Sequence, residues 1–421
     1  MVQTAIKTTG GTTGETGAAT GRPFRRRVFY IPGYDPVSPR RYREIYRKEA
    51  AAQAAISGYE IALKPKKIKG PYGWHVRAQI EGAPAEADVE VLVWSDIVRD
   101  SMDPSIVGTY VQLLRTAWVY IGSGALFRLV RLRKGPTVAA LFPIVLLVGQ
   151  LALAGFAAWG LALLAGLVTP AALRGLPGVL AGAVLGLAVL RWFKRHDNRF
   201  LAYYLMHDYA YSAQAGGANP PDLEARMTAF RLSIAQAMQG DIDEVLVVGH
   251  SSGAHLAVSI LADLIREGLP AGGPALGLLT LGQVVPMVSF LPRATRLRAD
   301  LRYLSARDEL TWVDVTAPGD GCAFALCDPV SVTGVAPPDK RWPLVVSAAF
   351  TQTLSPERWQ VLKRQFFRLH FQYLCAFDRP GDYDYFRITA GPVTLAARYA
   401  DRAPSKSRIE RAVSGYTTLA V

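Results

Sequence analysis

Two uncharged runs limit what this chain can fold into more than any other feature. From Gly135 to Leu173 there are 39 consecutive residues without a charged side chain, and Gly175–Leu190 adds another 16. A bilayer core of about 30 Å takes about 20 helical residues. The first run is therefore long enough for a span and its turn. The second becomes long enough once Leu173 and the aromatic pair Trp192-Phe193 extend it, with Arg191 snorkelling to the interface. The pattern predicts two transmembrane helices, at about 137–168 and 173–193, joined by a turn between Thr169-Pro170 and Pro177. A buried hairpin of a soluble domain is the competing reading, and the length of the first run argues against it. Small residues recur every four positions in both runs: Gly178, Gly182 and Gly186 in one, Ala154, Ala158, Ala162 and Gly166 in the other. Such stripes let two membrane helices approach closely.

The charge distribution supports this. The chain has 47 Lys and Arg against 34 Asp and Glu, a formal net charge of +13. Arg128, Arg131, Arg133 and Lys134 precede the first run, Arg191, Lys194, Arg195 and Arg199 follow the second, and only Arg174 lies between. Positively charged loops stay on the cytoplasmic side. The expectation is an integral membrane protein with two spans and with both flanks and both termini cytoplasmic. Tyr110–Phe127, with Trp118 and Tyr120 among apolar residues, reads as an interfacial helix leading in. The basic stretch Arg40–Lys48 reads as a solvated helix face or one leaning on anionic headgroups. Nucleic-acid binding would need a basic groove with stacking aromatics or a known module, and the sequence has neither. The partner expected for the basic charge is the bilayer. Three cysteines, Cys322, Cys327 and Cys375, are an odd number without framework spacing, so neither a disulfide scaffold nor a zinc site is expected, and a reducing compartment fits.

The flanking segments have a different texture. Residues 1–24 are largely a Thr/Gly/Ala tract without the apolar stretch of a secretory signal, and they read as a disordered tail. Residues 25–96 contain a strand at Val28–Ile31, the turn Pro32–Pro36, a helix from about Pro39 to Ile56, and strands near Tyr59–Leu63, Trp74–Ile80 and Val89–Trp94. Residues 97–196 form the membrane-associated insertion. From 197 to 400 the alternation resumes, beginning with a helix from a capping Asp222 to Gln239. Val245–Val248 is an unbroken apolar run typical of a strand buried on both faces of a parallel sheet. A helix at Ala254–Glu267 and strands at Leu276–Leu281, Thr311–Val315 and Leu344–Ala348 follow, and 401–421 is a basic tail. Alternating strands and helices predict an α/β fold, a mostly parallel sheet flanked by helices and interrupted by the hairpin.

One motif carries chemistry. Gly249-His250-Ser251-Ser252-Gly253 is a G-x-S-x-G placed directly between the buried strand and the helix that opens near Ala254. A serine on a sharp strand-to-helix turn presents its hydroxyl above the sheet, and the two glycines give that turn room. Here the chain resembles the α/β-hydrolase superfamily: DEVLVVGHSSGAHLAV is similar to its esterase and lipase members. The resemblance covers roughly Arg25–Trp94 and Asp197–Ala400, with the hairpin as an insertion.

What the resemblance implies is a serine hydrolase acting on a carboxylic, lipid or thioester through an acyl-enzyme, with the chain order nucleophile, acid, histidine. Ser251 is then the nucleophile. Of the six histidines (His75, His196, His207, His250, His255 and His370), only His255 and His370 follow it. His255 is four residues on and leaves no room for an acid, so His370, on an expected helix Glu357–Leu374, is the base. His250 and His255 read as packing residues. Asp320, in the Pro-Gly-Asp-Gly turn after the strand Thr311–Val315, matches the acid, with Asp328 next and Asp314 inside the strand. The oxyanion hole maps onto the N–H of Ser252 and onto the first strand loop, Gly33 and Tyr34; the His-Gly-Gly-Gly form of some esterases is missing. A bilayer setting favours an apolar acyl substrate. No phosphate loop, dinucleotide fingerprint or metal-ligand cluster occurs, so neither a cofactor nor a metal is expected. A non-enzymatic interaction platform on the same fold is the rival, and it has no need for Ser, Asp and His in that order.

Overall fold

The computed structural model describes residues 22–102, 105–168 and 175–420. The expected tail at 1–24 lies outside it as far as residue 21, and so does the expected turn at 169–174 with Arg174. Eight strands form one sheet: β1 (Phe24–Ile31), β2 (Glu60–Pro65), β3 (Gly73–Ile80), β4 (Ala83–Val91), β5 (Glu244–His250), β6 (Ala275–Leu281), β7 (Leu310–Thr316) and β8 (Leu344–Ser347). Their spatial order is β2-β3-β4-β1-β5-β6-β7-β8. The pairs β2–β3 and β3–β4 are antiparallel and every other pair is parallel. The α/β class and the mostly parallel sheet are therefore as the alternation predicts. The fourth strand runs over Ala83–Val91, where Val89–Trp94 was expected. Glu81 and Gly82, both at positive φ (55° and 77°), make the two-residue turn from β3, and Leu92–Trp94 has already left the sheet.

Helices cover both faces. On one side α7 (Pro221–Ala237), α8 (Gly253–Glu267) and α9 (Thr295–Leu304) pack on Phe29, Ile31, Val245, Val247, Leu278 and Trp312. On the other, α1 (Arg40–Ser57) and α12 (Tyr385–Ala390) cover Val28, Tyr30, Leu246, Val248, Leu279 and Val313. Alternate residues of β1 and β5 thus enter opposite cores, which is why Val245–Val248 contains no polar residue. Asp222 does not cap α7. Pro220 occupies that position with Pro221 at the first helical residue, where its missing N–H costs nothing, and Asp222 sits within the first turn.

The insertion begins with α2 (Ile106–Gly122) and α3 (Ala125–Leu132), so the single helix expected over Tyr110–Phe127 is broken at Gly124, φ 73°. It continues into α4 (Lys134–Val168) and α5 (Leu176–Arg195), both long and apolar enough to cross a membrane. Only 22% of the most apolar stretch of α4 and 11% of that of α5 are buried, unlike the core helix of a soluble domain. At 35 residues α4 is about 50 Å long, well beyond the about 30 Å of a hydrocarbon core. Its first four turns instead pack against other helices of the chain. Leu147 packs with Leu113 of α2 and with Ala202, Tyr203 and Met206 of α6 (Ala202–Ala213), and the Tyr110 hydroxyl donates to the Leu147 carbonyl at 2.9 Å.

Beyond that dock the two helices pack through their small residues. Gly178, Gly182 and Gly186 are buried against Ala162, Ala158 and Ala154, and a Cβ on Gly182 would overlap the Ala158 carbonyl oxygen. The C-terminal segment, expected as a tail, lies along the domain: Ile409 exchanges backbone hydrogen bonds with Leu326 and Asp328, and the buried Arg298 donates to the Thr418 carbonyl. Gly182→Val should lower the melting temperature of the detergent-solubilised protein. Gly155→Ala, where nothing lies within 4 Å, should leave it unchanged or raise it through helix propensity, worth about 1 kcal/mol. A Gly182→Val protein as stable as wild type would mean the helices do not pack along this stripe.

Candidate active site

The site forms where β1 and β5 run side by side, with Ile31 opposite Gly249. From this pair the chain departs towards opposite edges of the sheet, and such a crevice at the carboxyl ends of parallel strands is where open α/β sheets bind ligands. Ser251 sits in the turn from β5 into α8 at φ +57°, a left-handed conformation costing about 1–2 kcal/mol for a residue with a Cβ. The turn is clamped: the Ser251 N–H donates to the Leu281 carbonyl at 2.9 Å, and its own carbonyl accepts from Ala254 N–H at 3.1 Å. Both motif glycines are sterically required. A Cβ on Gly249 would come 2.7 Å from the Ala254 Cα, and one on Gly253 would overlap the Ile31 carbonyl oxygen.

Asp320 and His370 come from segments after β7 and after β8. Asp320 follows β7 in a tight turn closed by its own N–H to the Ala317 carbonyl, 2.9 Å. Its buried carboxylate accepts the Cys322 N–H at 2.9 Å on one oxygen. On the other oxygen it accepts the Tyr373 hydroxyl at 3.0 Å and the His370 Nδ1–H at 2.7 Å. Burial alone would raise this carboxyl, but the positive charge available at His370 and these hydrogen bonds hold it below the usual carboxylate range. The Asp320 contact leaves the lone pair of His370 on Nε2, which is buried and has no hydrogen-bond partner among the described residues. Ser251 and His370 line one cavity of about 770 Å³.

The helix expected over Glu357–Leu374 is broken into α10 (Pro356–Leu362), α11 (Phe366–His370) and a 3₁₀ turn, Phe371–Leu374. Tertiary contacts hold the part from His370 onwards. The His370 carbonyl accepts His250 Nε2–H at 3.1 Å, and the 3₁₀ turn brings Tyr373 within reach of both Asp320 and the Ala317 N–H, which donates to the Tyr373 oxygen at 3.0 Å. His250 is thus a strut, with the Tyr30 hydroxyl on its Nδ1 at 3.3 Å and its pKa lowered to about 3 by burial. It stays neutral throughout the physiological range. His255 lies on α8, faces a smaller cavity beside Tyr34 and Asn219, and is lowered by burial to about 4. Asp328 is far from acid duty: it caps the helix Pro329–Thr333 through Val330 N–H and Ser331 N–H and pairs with Lys340 at 2.6 Å. Asp314 accepts the Thr280 hydroxyl at 2.6 Å inside the sheet and is pushed up to about 8 by burial.

Gly33 lies directly beside the serine. A Cβ there would be 2.9 Å from the Ser251 Cβ and 3.3 Å from its Oγ. Tyr34 is anchored by its hydroxyl to Ser101 at 2.7 Å and by its carbonyl, which accepts the Tyr204 hydroxyl at 2.5 Å. Ser252 opens α8 and is buried. The structure therefore puts Ser251, Ser252 and His370 on one cavity, Gly33 against Ser251 and Asp320 behind His370, while Tyr34 lines the neighbouring cavity with Ser252. Sequence reasoning passed over α6, whose Leu205, Asp208, Tyr209 and Ser212 line the same cavity. The signal was its spacing, Tyr204, Asp208 and Ser212, polar residues every fourth position in an apolar helix. Burial pushes the Asp208 carboxyl up to about 7.

The chain matches no known protein family, no curated protein and no solved structure. Asp320, Cys322 and His370 bring possible metal-ligand atoms within 4.8 Å of one another. Burial and the nearby carboxylates of Asp320 and Asp208 raise the Cys322 thiol well above its usual range, the reverse of what thiolate ligation needs.

The strained turn supplies a test of its own. Ser251→Gly and Ser251→Ala both remove the hydroxyl, but only glycine relieves the positive φ. The Gly variant should be more stable than the Ala variant by about 1 kcal/mol in denaturant or thermal unfolding. Equal stabilities would show that the turn carries no such strain.

Proposed function

We propose that the protein is a membrane-anchored serine hydrolase of the α/β-hydrolase kind, its active domain on the cytoplasmic side, cleaving an apolar acyl ester through an acyl-enzyme. One observation carries this reading. Ser251, held on a strained strand-to-helix turn, shares a cavity with the free Nε2 of a His370 whose Nδ1–H is bound to the buried, ionised Asp320. A serine hydroxyl becomes nucleophilic when a positioned imidazole takes its proton, and a carboxylate on the far nitrogen holds the tautomer and steadies the imidazolium that forms. Ser251 Oγ attacks the acyl carbonyl while His370 Nε2 accepts the proton. The oxyanion draws on the N–H groups of Ser252 and Tyr34, which have no acceptor among the described residues. Such donors contribute about 10²–10³ in rate. His370 then returns the proton to the leaving alcohol, and water releases the acid by the reverse sequence.

Anchoring follows from the exposure of α4 and α5, and the cytoplasmic side from the basic residues at their domain ends.

An active-site-directed fluorophosphonate should label the wild type and not Ser251→Ala. His370→Ala should abolish turnover of a short p-nitrophenyl ester as fully as Ser251→Ala, because nucleophile and base act as a unit. Asp320→Asn should lower kcat by about 10⁴, with little change in KM. Labelling of Ser251→Ala would sink the serine reading.

A further inference from the structure

The cavity is built from two materials. Its floor is the chemistry, Ser251, Ser252 and His370, and one wall is Val138, Ala139 and Phe142, the first turns of α4. Val138, Phe142, Val145 and Val148 follow one another on α4 at spacings of three or four residues, and all are exposed. This apolar track runs without a break from the cavity towards the part of the helix long enough to cross a bilayer. An acyl chain that follows it stays against apolar side chains as far as the cavity that Ser251 lines.

The rim is cationic. Lys134, Arg199, Arg364 and Arg368 all line the cavity and are exposed, and none has an ion-pair partner among the described residues. Most arginines elsewhere on the domain surface are engaged: Arg226 with Asp96, Arg266 with Asp263 and Asp300, Arg296 with Glu224 and Asp263, Arg358 with Asp378, Arg402 with Asp382. Lys134 and Arg199 adjoin the hairpin, and orienting it accounts for them. Arg364 and Arg368 come from the far end of the chain and have no part in that. Among the described residues the one carboxyl lining the cavity, Asp208, is raised by burial to about 7 and so offers only part of a negative charge at neutral pH. A ring of free guanidinium and ammonium groups around an apolar slot matches an amphiphile with acyl chains and a phosphate, which arginine binds in bidentate fashion.

Resting on the serine-hydrolase reading above, we infer that the substrate is an anionic phospholipid drawn sideways from the adjoining leaflet, its acyl chain along Val138 and Phe142 and its phosphate among Lys134, Arg199, Arg364 and Arg368. Ser251 Oγ forms a bond to the acyl carbon as the ester C–O bond breaks. The lysophospholipid alcohol leaves with the proton from His370, and water then frees the fatty acid and restores the serine.

The test uses the full-length protein reconstituted in phosphatidylcholine vesicles with and without phosphatidylglycerol, measuring fatty-acid release from each lipid. Wild type should favour phosphatidylglycerol at least tenfold, and added salt should erode that preference. Arg364→Gln/Arg368→Gln should cut the ratio of anionic to neutral lipid hydrolysis about tenfold, while Arg411→Gln, a cation that does not line the cavity, should leave it unchanged. Equal hydrolysis of the two lipids, or a ratio insensitive to the double variant, would overturn the inference while leaving the hydrolase reading intact. A short-chain phosphatidylglycerol hydrolysed as monomer as fast as the vesicle lipid would overturn delivery from the leaflet. Failure of the wild type to hydrolyse a p-nitrophenyl ester or take the fluorophosphonate label would overturn both readings together.

Discussion

The parallel pairing of β1 with β5 is the interaction on which the rest depends. More than two hundred residues, including both hairpin helices, lie between these two neighbours, yet their register brings Gly33 against Ser251 and packs Gly253 on the Ile31 carbonyl. The pairing is pinned at its other end by Arg26 and Glu244, both fully buried and in direct contact. Arg26 also donates to the carbonyls of Gly391 and Val393, and Glu244 accepts the Leu395 N–H, so the C-terminal segment is tied to the same point. A buried ion pair adds little net stability over an apolar pair, but removing one partner strands a charge at a cost of about 3–5 kcal/mol. It therefore acts more as a register lock than as glue. The same pairing constrains the insertion: were α4 and α5 to cross a bilayer, only an even number of crossings would return the chain to the side of β1.

Around that pair the site is assembled from distant parts of the chain, each held by groups with no chemistry of their own. His250 and Tyr373 illustrate this. The first supports the His370 backbone, and the second donates to Asp320 while receiving the Ala317 N–H. Both are buried, so their hydrogen bonds are stronger than in water and leaving any one unmade is expensive. The positive φ of Ser251 is affordable because β5, β6 and α8 over-determine the turn. The hairpin has a double part. Its exposed upper reach suits a bilayer, and its lower turns close the cavity that holds Ser251 and His370.

Much of this was legible in the sequence because the relevant physics is local. An uncharged run of 39 residues, a continuous apolar strand, a period of four in Gly and Ala, and a serine between two glycines at a strand–helix junction each report on their own neighbourhood. They were enough to find two long apolar helices, a mostly parallel sheet, and Ser251, Ser252 and His370, which line one cavity. Strand ends shifted by a few residues, as at β4, where the positive-φ turn Glu81-Gly82 sets the start and apolar content alone does not.

What the sequence could not decide depends on groups that meet only after folding. The choice of Asp320 over Asp328 rests on which carboxylate reaches His370 Nδ1; the other is consumed as a helix cap and by Lys340. The 3₁₀ turn that follows His370 meets His250 and Asp320 only once the chain has folded. The place of α6 on the cavity wall, and the meeting of Arg364 and Arg368 with the root of α4, join segments far apart in sequence. Periodicity and spacing record which face of an element is buried. Which partners share that burial is set by chain topology, and here the β1–β5 pairing across the hairpin set it.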